Sequence, residues 1–461
     1  MTAFEDFVNT ELPQRPVLIK GAAEATGDPR LSALPKVQGA PIGTLYEEYG
    51  TIDTWKRTGI DPNQWTRIPS NRLREGYYIY VDPITGSDDI TNDGTITPLA
   101  TIAEAAKRAA DRVDYGTVIL SAGTHDLNGD SVSVRLPIGW GMCGYFVLGV
   151  FDGTHGWPIL DSFAVESTVD WTVTKNSGTT PWAINEHVGK RVALAHDGAT
   201  WYETYVIQGN TEHTLTLVAL YYPPDIGSTA KIVEIQTTIT NGNLLYYTGE
   251  ENKSLNYIEF DDVYLAVESV QMIDCNFINP PYHGFLTYYD TKSMAAYNCF
   301  FLNAPSRGAS LSGFYGEIAQ CGFMGIPIGI SAGCKLQTWI WDCSFTNITN
   351  YAIQGSYCPA VNFDFQTHLV NVRDFIYMAA TPPALLTIGG NPATAFSTKP
   401  TRYGIMLGAG TSAMIKSNFA MESVTPGNTF YVNGRTVSLT DMINKYQRNY
   451  WGPGNTTVIA Y

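Results

Sequence analysis

Hydrophobic residues alternate with polar ones in many short segments of this chain. Segments such as KRVALAHDG, WYETYVIQG and HTLTLVAL show this period of two between polar turns, which is typical of β-strands. The segment TIAEAAKRAADRV has helical spacing instead, and Thr101 with Glu104 forms a capping box at its start. The pattern predicts an all-β protein with a helix over residues 101–113.

An internal repeat covers residues 256–370. The segments MIDCNF, AYNCFF, IAQCGF and IWDCSF share Cys-x-Phe, with cysteines 24, 22 and 22 residues apart, and VNFDFQ follows as a fifth copy. A repeat of this length with β-rich composition predicts a β-solenoid. The predicted interior ladder comprises Cys275, Phe277, Cys299, Phe301, Cys321, Phe323, Cys343, Phe345 and Phe365. A second column comprises Gly284-Phe285, Gly308-Ala309, Gly329-Ile330 and Ala352-Ile353.

The alternation within each rung also predicts which residues face outward. Counting back from each inward cysteine places an apolar column outside. Its members are Met272, Ala296, Ile318 and Ile340. Because an exposed apolar stripe promotes aggregation unless it is covered, we expect parallel copies to pack side by side as a homotrimer. The stripe alone does not distinguish three copies from two.

The charge balance excludes several classes of partner. With 28 Lys and Arg against 43 Asp and Glu, the net charge is -15, which argues against binding nucleic acid or an anionic membrane. No apolar run approaches the ~18 residues of a membrane-inserted helix. The N-terminus MTAFEDFVNTELPQRP lacks the features of a signal peptide, so we expect synthesis in a cytoplasm. Seven cysteines without a CxxC pair indicate buried thiols and not a zinc site or a disulfide framework.

Shifts in composition predict six consecutive parts. These are an extended arm (1–40), a small β module or linker (41–72), a β-helix start with its helix (73–164), a β-rich insertion (165–245), the β-helix rungs (246–372) and a β-rich C-terminal cap (373–461).

Residues 77–127 carry a resemblance to a known family. The motifs are Tyr80-Val81-Asp82, Gly86-Ser87-Asp88, Pro98-Leu99-Ala100-Thr101-Ile102 and Ser121-Ala122-Gly123-Thr124. They resemble the start of pectate-lyase-like right-handed parallel β-helices, in which the helix caps the N-terminal end of the coil. The arm and the module GTLYEEYGTIDTWKRTGIDPNQWTRI resemble those of bacteriophage tailspikes and virion spikes or fibres. The resemblance implies a virion protein that contacts phage tail or capsid proteins through residues 1–70, and it leaves open which of the two.

The family includes hydrolases and lyases, so the resemblance implies that an active site would contain acidic residues. Asp342 and Asp364 fall in one predicted outward column on successive rungs, near the ~5 Å carboxyl separation of retaining glycosidases. Glu268, Asp290 and Glu317 are further isolated acids. A lyase would need a cation near such acids, and Lys292, Arg307 and Lys335 lie in no obvious cluster with them. Aromatic residues that could stack on sugars are Trp339, Tyr289, Tyr315 and Tyr357.

No cofactor or metal is predicted. The acidic loop from Asp82 to Gly94 lacks the ligand spacing of a calcium loop, and the seven histidines are scattered. Two functions remain open. The first is a virion structural protein that presents a rigid β-helix for attachment to host-surface glycans or for decoration. The alternative is a depolymerase, a hydrolase or lyase of host polysaccharide. The lack of a clear group of carboxylates favours the first.

Overall fold

A computed structural model of the chain describes two compact units, the first within residues 1–77 and 111–116 and the second within 78–110 and 117–461. The described residues are 18–20, 29, 35–38, 40, 45–47, 54–57, 61, 64–68, 77–110, 116–137, 139–147, 150, 152–196, 201–220, 222–248, 253–287, 291–355, 358, 360–364, 368–379, 385–388, 400–407, 412–415, 430–432, 435–437 and 457–460.

The first unit is a four-stranded sheet around two tryptophans. Its elements are β1 (Leu18–Lys20), α1 (Pro35–Gln38), β2 (Leu45–Glu47), β3 (Thr54–Arg57) and β4 (Trp65–Ile68). The strands pair in chain order, and the core comprises Val37, Ala40, Tyr46, Trp55 and Trp65. The Arg57 guanidinium donates to the Val37 carbonyl at 2.8 Å, so the charge is buried with a partner.

The second unit is a parallel β-solenoid of about ten turns. Its early elements are β5 (Tyr77–Val81), α2 (Ile102–Ala110), β6 (Gly116–Leu120), β7 (Gly123–Asp126), β8 (Ser131–Leu136) and β9 (Trp140–Cys143). The helix begins as predicted, with Thr101 Oγ1 accepting from the Glu104 amide at 3.2 Å, and residues 111–113 of the predicted helix lie outside the described residues.

The remaining strands of the coil follow an inserted domain. They are β16 (Thr237–Thr248), β17 (Lys253–Asn256), β18 (Ile258–Val267), β19 (Val270–Ile273), β20 (Asn276–Ile278), β21 (His283–Thr287), β22 (Ser293–Tyr297), β23 (Phe300–Leu302), β24 (Arg307–Ala319), β25 (Gly322–Met324), β26 (Ile328–Trp341), β27 (Ser344–Gly355), β28 (Ala360–Asp364), β29 (His368–Met378), β30 (Leu385–Ile388), β31 (Tyr403–Leu407), β32 (Ser412–Ile415), β33 (Phe430–Val432), β34 (Arg435–Val437) and β35 (Thr457–Ala460).

Parallel pairing arranges the coil strands in three faces. Face A contains β17, β19, β22, β28 and the C-terminal halves of β24 and β26. Face B contains β20, β23, β25 and the starts of β18, β27 and β29. Face C contains β21 and β31 with the remaining halves of the long strands. The parallel β-helix predicted from the repeat is confirmed.

Face B stacks phenylalanine on phenylalanine in the interior. Phe277, Phe301, Phe323 and Phe345 pair in register, with successive ring centroids 4.6, 4.7 and 5.1 Å apart. Phe260 extends the stack by one rung at 5.3 Å. After Phe345 the position passes to Leu369, and Phe365 lies outside the described residues.

The glycine column on face C exists because these rings need room. A Cβ on Gly308 would lie 2.6 Å from Cδ1 of Phe323 and 2.7 Å from the Gly329 carbonyl oxygen. A larger residue at Gly308 would therefore displace backbone or ring. The neighbouring column is in register as Phe285, Ala309, Ile330 and Ile353.

On five successive rungs of the described coil, face A turns into face B at a corner residue with positive φ. The corner residues are Tyr257, Asp274, Asn298, Gln320 and Asp342, with φ between 52° and 59°. The buried cysteine follows each of the last four. Each thiol lies near a backbone carbonyl of the preceding rung, as from Cys275 Sγ to Leu255 O at 3.2 Å.

The corner overturns the predicted outward stripe. Met272, Ala296, Ile318 and Ile340 are each fully buried inside the coil. A left-handed residue between two strands resets the in-and-out alternation, so counting by twos through the corner gave the wrong side. The exposed stripe that suggested a homotrimer does not exist, and the homotrimer stays a prediction without that support.

A second corner, between faces B and C, carries an interrupted asparagine ladder. Asn279, Asn303, Gly325, Asn347 and Asn371 all have positive φ. The Asn303 amide donates to Asn279 Oδ1 at 3.1 Å, and Asn371 donates to Asn347 Oδ1 at 2.9 Å. Gly325 supplies no amide, so the two halves of the ladder are not joined.

Replacing Gly325 with asparagine should raise the free energy of unfolding by about 1 kcal/mol. Asparagine tolerates this backbone conformation, and its side chain would supply the missing hydrogen bonds. A Cβ there meets only the end of the Asn303 side chain, at 2.8 Å, which can rotate away. Gly325→Ala is the matched control, because it adds the Cβ without the amide and should lose about 1 kcal/mol. Urea denaturation measures both, and equal effects of the two variants would contradict the ladder's role.

The inserted domain is a closed antiparallel barrel on face B. Its strands are β10 (Ile159–Val169), β11 (Thr172–Lys175), β12 (Arg191–His196), β13 (Trp201–Asn210), β14 (Thr214–Leu217) and β15 (Thr229–Val233), in the order β10-β11-β14-β13-β12-β15. Residues 237–245 of the predicted insertion belong to the coil. The barrel packs Val206 and Val218 on Phe300, so the two bodies share a core.

Candidate functional site

Two of the predicted sugar-stacking residues lie together on face A. Trp339 and Tyr315 are 43% and 46% exposed. Tyr289 and Tyr357 lie outside the described residues. The pairings Tyr315 with Gln337 and Glu317 with Trp339 place the two rings on adjacent rungs in neighbouring outward columns.

Glu317 shares the column of Trp339, and two aromatic donors hold its carboxylate. The Tyr297 hydroxyl donates to Glu317 Oε2 at 2.7 Å, and the Trp341 indole donates to Oε1 at 2.9 Å. Burial, followed by the hydrogen bond to this carboxylate, raises the pKa of Tyr297. The sequence identified Glu317 only as an isolated acid. Its two hydrogen-bond donors were not evident, because they lie on adjacent rungs, 20 and 24 residues away in the chain.

These side chains form a groove with a volume of about 410 Å³, referred to below as the face A groove. It is lined by Ser269, Val270, Gln271, Ser293, Met294, Ala295, Tyr297, Tyr315, Gly316, Glu317, Gln337 and Trp339. Aromatic rings, amides, hydroxyls and one fixed carboxylate are the groups that hold a polar ring-shaped ligand, since the rings cover its apolar face and the polar groups meet its hydroxyls.

The predicted carboxylate pair is not formed as expected. Trp341, and not Asp342, pairs with Asp364, because that rung is one residue longer than the alignment assumed. Asp342 is a corner residue and is 4% exposed. The side chain of Asp364 lies outside the described residues. The shared outward column on which their catalytic role was based is therefore wrong.

A second cavity, of about 500 Å³, lies where the barrel meets the corner between faces A and B. We call it the barrel cleft. The coil contributes Tyr257, Ile273, Asp274, Tyr297, Asn298 and Gln320, and the inserted segment contributes Phe146, Val147, Val150, Gly153, His155, Tyr202, Glu203 and Thr204. Tyr297 borders both the groove and the cleft.

Asp274 is the buried acid of this cleft. Its side chain receives a hydrogen bond from the Asn298 amide, and Arg191 Nε lies 3.6 Å from Oδ1. Burial raises the pKa of Asp274 to about 6, and the Arg191 guanidinium limits the rise. A carboxyl that titrates near neutral pH inside a cleft is a candidate proton donor.

Two further titratable groups from the insertion line the cleft. His155 has a φ of 52° and packs between Trp157 and Tyr257, with ring centroids 4.9 and 4.6 Å away. Burial lowers the pKa of His155, so its imidazole is neutral at pH 7. Glu203 Oε2 accepts from the Tyr205 hydroxyl at 2.6 Å. The sequence gave no signal for this grouping, because the barrel brings it together from distant segments.

The pKa of Asp274 predicts a pH dependence of stability. Its ordinary pKa is 3.8, so the folded protein binds this proton more tightly than the unfolded chain does. The ionised carboxylate therefore lowers stability above about pH 6, and this cost disappears as the pH falls to about 4. Relative to Asp274→Asn, the wild type should gain about 2 kcal/mol between pH 7 and pH 4. Urea denaturation of both proteins across this range measures the gain, and parallel pH profiles would contradict the raised pKa.

The carboxylates of the acidic loop after β5 accept hydrogen bonds from nearby residues of the chain. Asp82, Asp89 and Asp93 each accept from a threonine two or three residues later, and Asp88 accepts from the Ala100 amide at 2.8 Å near the start of α2. Among the described residues, no group of three or more His, Cys, Asp or Glu side chains is placed to hold a metal ion. In the same part of the chain, no helix has the length and hydropathy to cross a bilayer.

The chain is similar to several solved protein structures. No family model and no curated protein matches the chain. A structure described as a glycoside hydrolase has 10% identity and a TM-score of 0.31, covering 79% of this chain and 98% of that one. The tailspike protein gp49 from Pseudomonas phage LKA1 has 10% identity and a TM-score of 0.23, covering 73% and 80%. The Gp54 tailspike of Acinetobacter baumannii bacteriophage AP22, solved with a capsular saccharide, has 8% identity and a TM-score of 0.20, covering 72% and 66%. At these identities and scores, no binding or catalytic role is transferred to this chain.

Proposed function

We propose that the chain is a bacteriophage virion protein that attaches to a polysaccharide of the host surface through the face A groove. The observation that carries the proposal is the pair of exposed rings, Trp339 and Tyr315, beside the fixed carboxylate of Glu317. The face of a sugar ring can cover each aromatic ring, while its hydroxyls donate to the carboxylate.

The virion setting rests on the resemblance of the arm and the small β module, within residues 1–70, described above. Anchoring through residues 1–70 and assembly as a homotrimer are parts of this proposal. A rigid coil with parallel hydrogen bonding on every rung suits a protein that must keep a binding face in shape outside the cell. Sedimentation of the full chain at three times the mass of one chain checks the oligomer.

Trp339→Ala should weaken glycan binding at least about tenfold, because it removes a stacking surface without touching the interior. The measurement is binding to an array of bacterial capsular and O-antigen oligosaccharides, followed by calorimetric titration of the strongest one. Tyr282→Ala is the matched control, since Tyr282 is 58% exposed and lies outside both cavities. Equal binding by the two variants, or no binding by the wild type, would refute the proposal.

The second candidate function is cleavage of the same polysaccharide, and the barrel cleft favours it. Asp274 would donate the proton to the leaving oxygen, since its pKa is raised to about 6, and Glu203 supplies a second carboxylate in the cleft. The release of reducing ends from the bound polysaccharide tests this function. Turnover that is lost in Asp274→Asn and kept in Tyr282→Ala would support it, whereas turnover unchanged in Asp274→Asn would exclude Asp274 as the acid.

A further inference from the structure

We infer that the face A groove and the barrel cleft take a glycan without carboxylate groups, a neutral or amino polysaccharide and not a polymer of uronic or sialic acids. The inference rests on the proposed function and adds the chemical class of its ligand. Two observations support it: the charges of the residues that line the two cavities, and the contacts that the nearby lysine and arginine side chains make with other protein groups.

The described lining of both cavities is acidic. Glu317 lies in the groove, and Asp274 and Glu203 lie in the cleft. No lysine or arginine occurs among the described residues that line either cavity. His155 is the remaining basic group, and its lowered pKa keeps it neutral at pH 7. The walls therefore present negative charge and neutral hydrogen-bonding groups to a ligand.

Arg191 is the cation nearest the cleft, and it faces inward. It is fully buried, and its guanidinium donates to the Gly189 carbonyl at 2.8 Å, to Asn276 Oδ1 at 2.9 Å and to the Asn298 carbonyl at 3.2 Å. With its charge directed at Asp274, it binds the barrel to the coil and is not presented to a ligand.

The other described cations near the site contact protein groups or lie outside the two linings. Lys231 lies 5.2 Å from the ring centroid of the cleft residue Tyr202, but its ammonium pairs with Asp152 at 2.7 Å. Lys335, two residues before Gln337, lies 4.7 Å from the ring centroid of Phe314. Lys292 precedes the groove residue Ser293 and is itself outside the lining.

Charge then selects against acidic glycans. A carboxylate on the ligand would lose water without gaining a cationic partner, and it would be repelled by Glu317 or Asp274. The net charge of -15 adds repulsion at longer range. Hydroxyl and amino groups gain instead, because Glu317 accepts hydrogen bonds and is already held by Tyr297 and Trp341.

Tyr297 lines both cavities, and the charge rule applies to a ligand in either of them. If the glycan is cleaved there, hydrolysis suits the lining better than elimination, because elimination from a uronate builds up negative charge beside the carboxyl group.

The oligosaccharide array, probed with the wild type and Trp339→Ala, tests the inference. We expect binding that depends on Trp339 to be confined to neutral and amino members. Binding to uronate or sialate members that is lost in Trp339→Ala would overturn the charge inference and leave the proposed attachment standing. Binding that is the same in both proteins, or absent, would overturn the proposed function and this inference with it.

A matched ligand pair separates charge from shape. The strongest neutral oligosaccharide is oxidised at its primary hydroxyls to carboxylates, and both forms are titrated. The oxidised form should bind the wild type at least about tenfold more weakly, and Glu317→Gln or higher salt should recover part of this loss. Equal or tighter binding of the oxidised form, or a loss that neither change reduces, would overturn the role of charge.

Discussion

Phe301→Ala should lower the free energy of unfolding by about 3–5 kcal/mol, which is among the largest effects expected for a single substitution. Phe301 is fully buried, with Phe277 and Phe323 stacked 4.6 and 4.7 Å away and Phe285 tilted against it at 5.7 Å. Truncation removes contacts on both sides and leaves a cavity that parallel backbones cannot close, because their hydrogen bonds hold adjacent rungs apart. The midpoint and slope of urea denaturation measure the effect.

Two controls make this result specific. Phe301→Leu keeps most of the volume and should cost less than half as much as the alanine variant. Tyr282→Ala removes an exposed ring and should stay within about 0.5 kcal/mol of the wild type. A loss of less than about 1 kcal/mol in Phe301→Ala would mean that the stack does not stabilise the coil.

Arg191→Met should cost about 3–5 kcal/mol, because it removes one partner of a buried charge pair. Arg191 is the main polar link between the barrel and face B, and without it the carboxylate of Asp274 stays buried with only the Asn298 amide as its partner. The pKa of Asp274 should then rise further, so the loss should be smaller at pH 5 than at pH 8. Urea denaturation at the two pH values measures this difference.

The double variant Arg191→Met/Asp274→Asn tests the cause. If an unpaired charge causes the loss, removing the carboxylate should restore a large part of it at pH 8. Arg191→Lys is the conservative control, and it should fall between the wild type and Arg191→Met because lysine keeps the charge without the planar fork. A loss that is the same at both pH values and in the double variant would show that Arg191 acts through packing alone.

The repeat made the coil predictable. Cysteine and phenylalanine at fixed spacing identified the rungs, and the second column identified further positions that pair in register. Phe260 was not predicted as part of the phenylalanine stack, because its rung has Ile258 in place of the cysteine of Cys-x-Phe. The phenylalanine position is kept on this rung and the cysteine position is not. A search for the ring position alone would have found it.

The direction of the side chains on face A could not be obtained by counting. Asp274, Asn298 and Asp342 precede the cysteines, and aspartate and asparagine are the residues that most readily adopt positive φ after glycine. That composition is a signal of a corner, whereas counting by twos places Asp342 in an outward column. The corner places the apolar stripe in the core, and Trp339 and Tyr315 are exposed on the outer side of face A.

The barrel cleft could not be predicted from the sequence, for a different reason. Its acids and aromatic residues come from segments that meet only because strands pair between residues far apart in the chain. Arg191 and Asn276, for example, are separated by 85 positions. The residue pattern within one segment does not indicate which distant segment it contacts. The insertion also has no internal repeat from which the pairing of its strands could be predicted.

The position of the barrel has a consequence for how specificity could diversify. The strands before and after it, β7 and β8 on one side and β16 on the other, pair directly, so the winding continues as if nothing had been added. One partner of the cleft is thus a regular scaffold and the other is a self-contained module with its own interior. Under the proposed function, exchange of that module would change the sugar recognised at the cleft while the scaffold kept its shape.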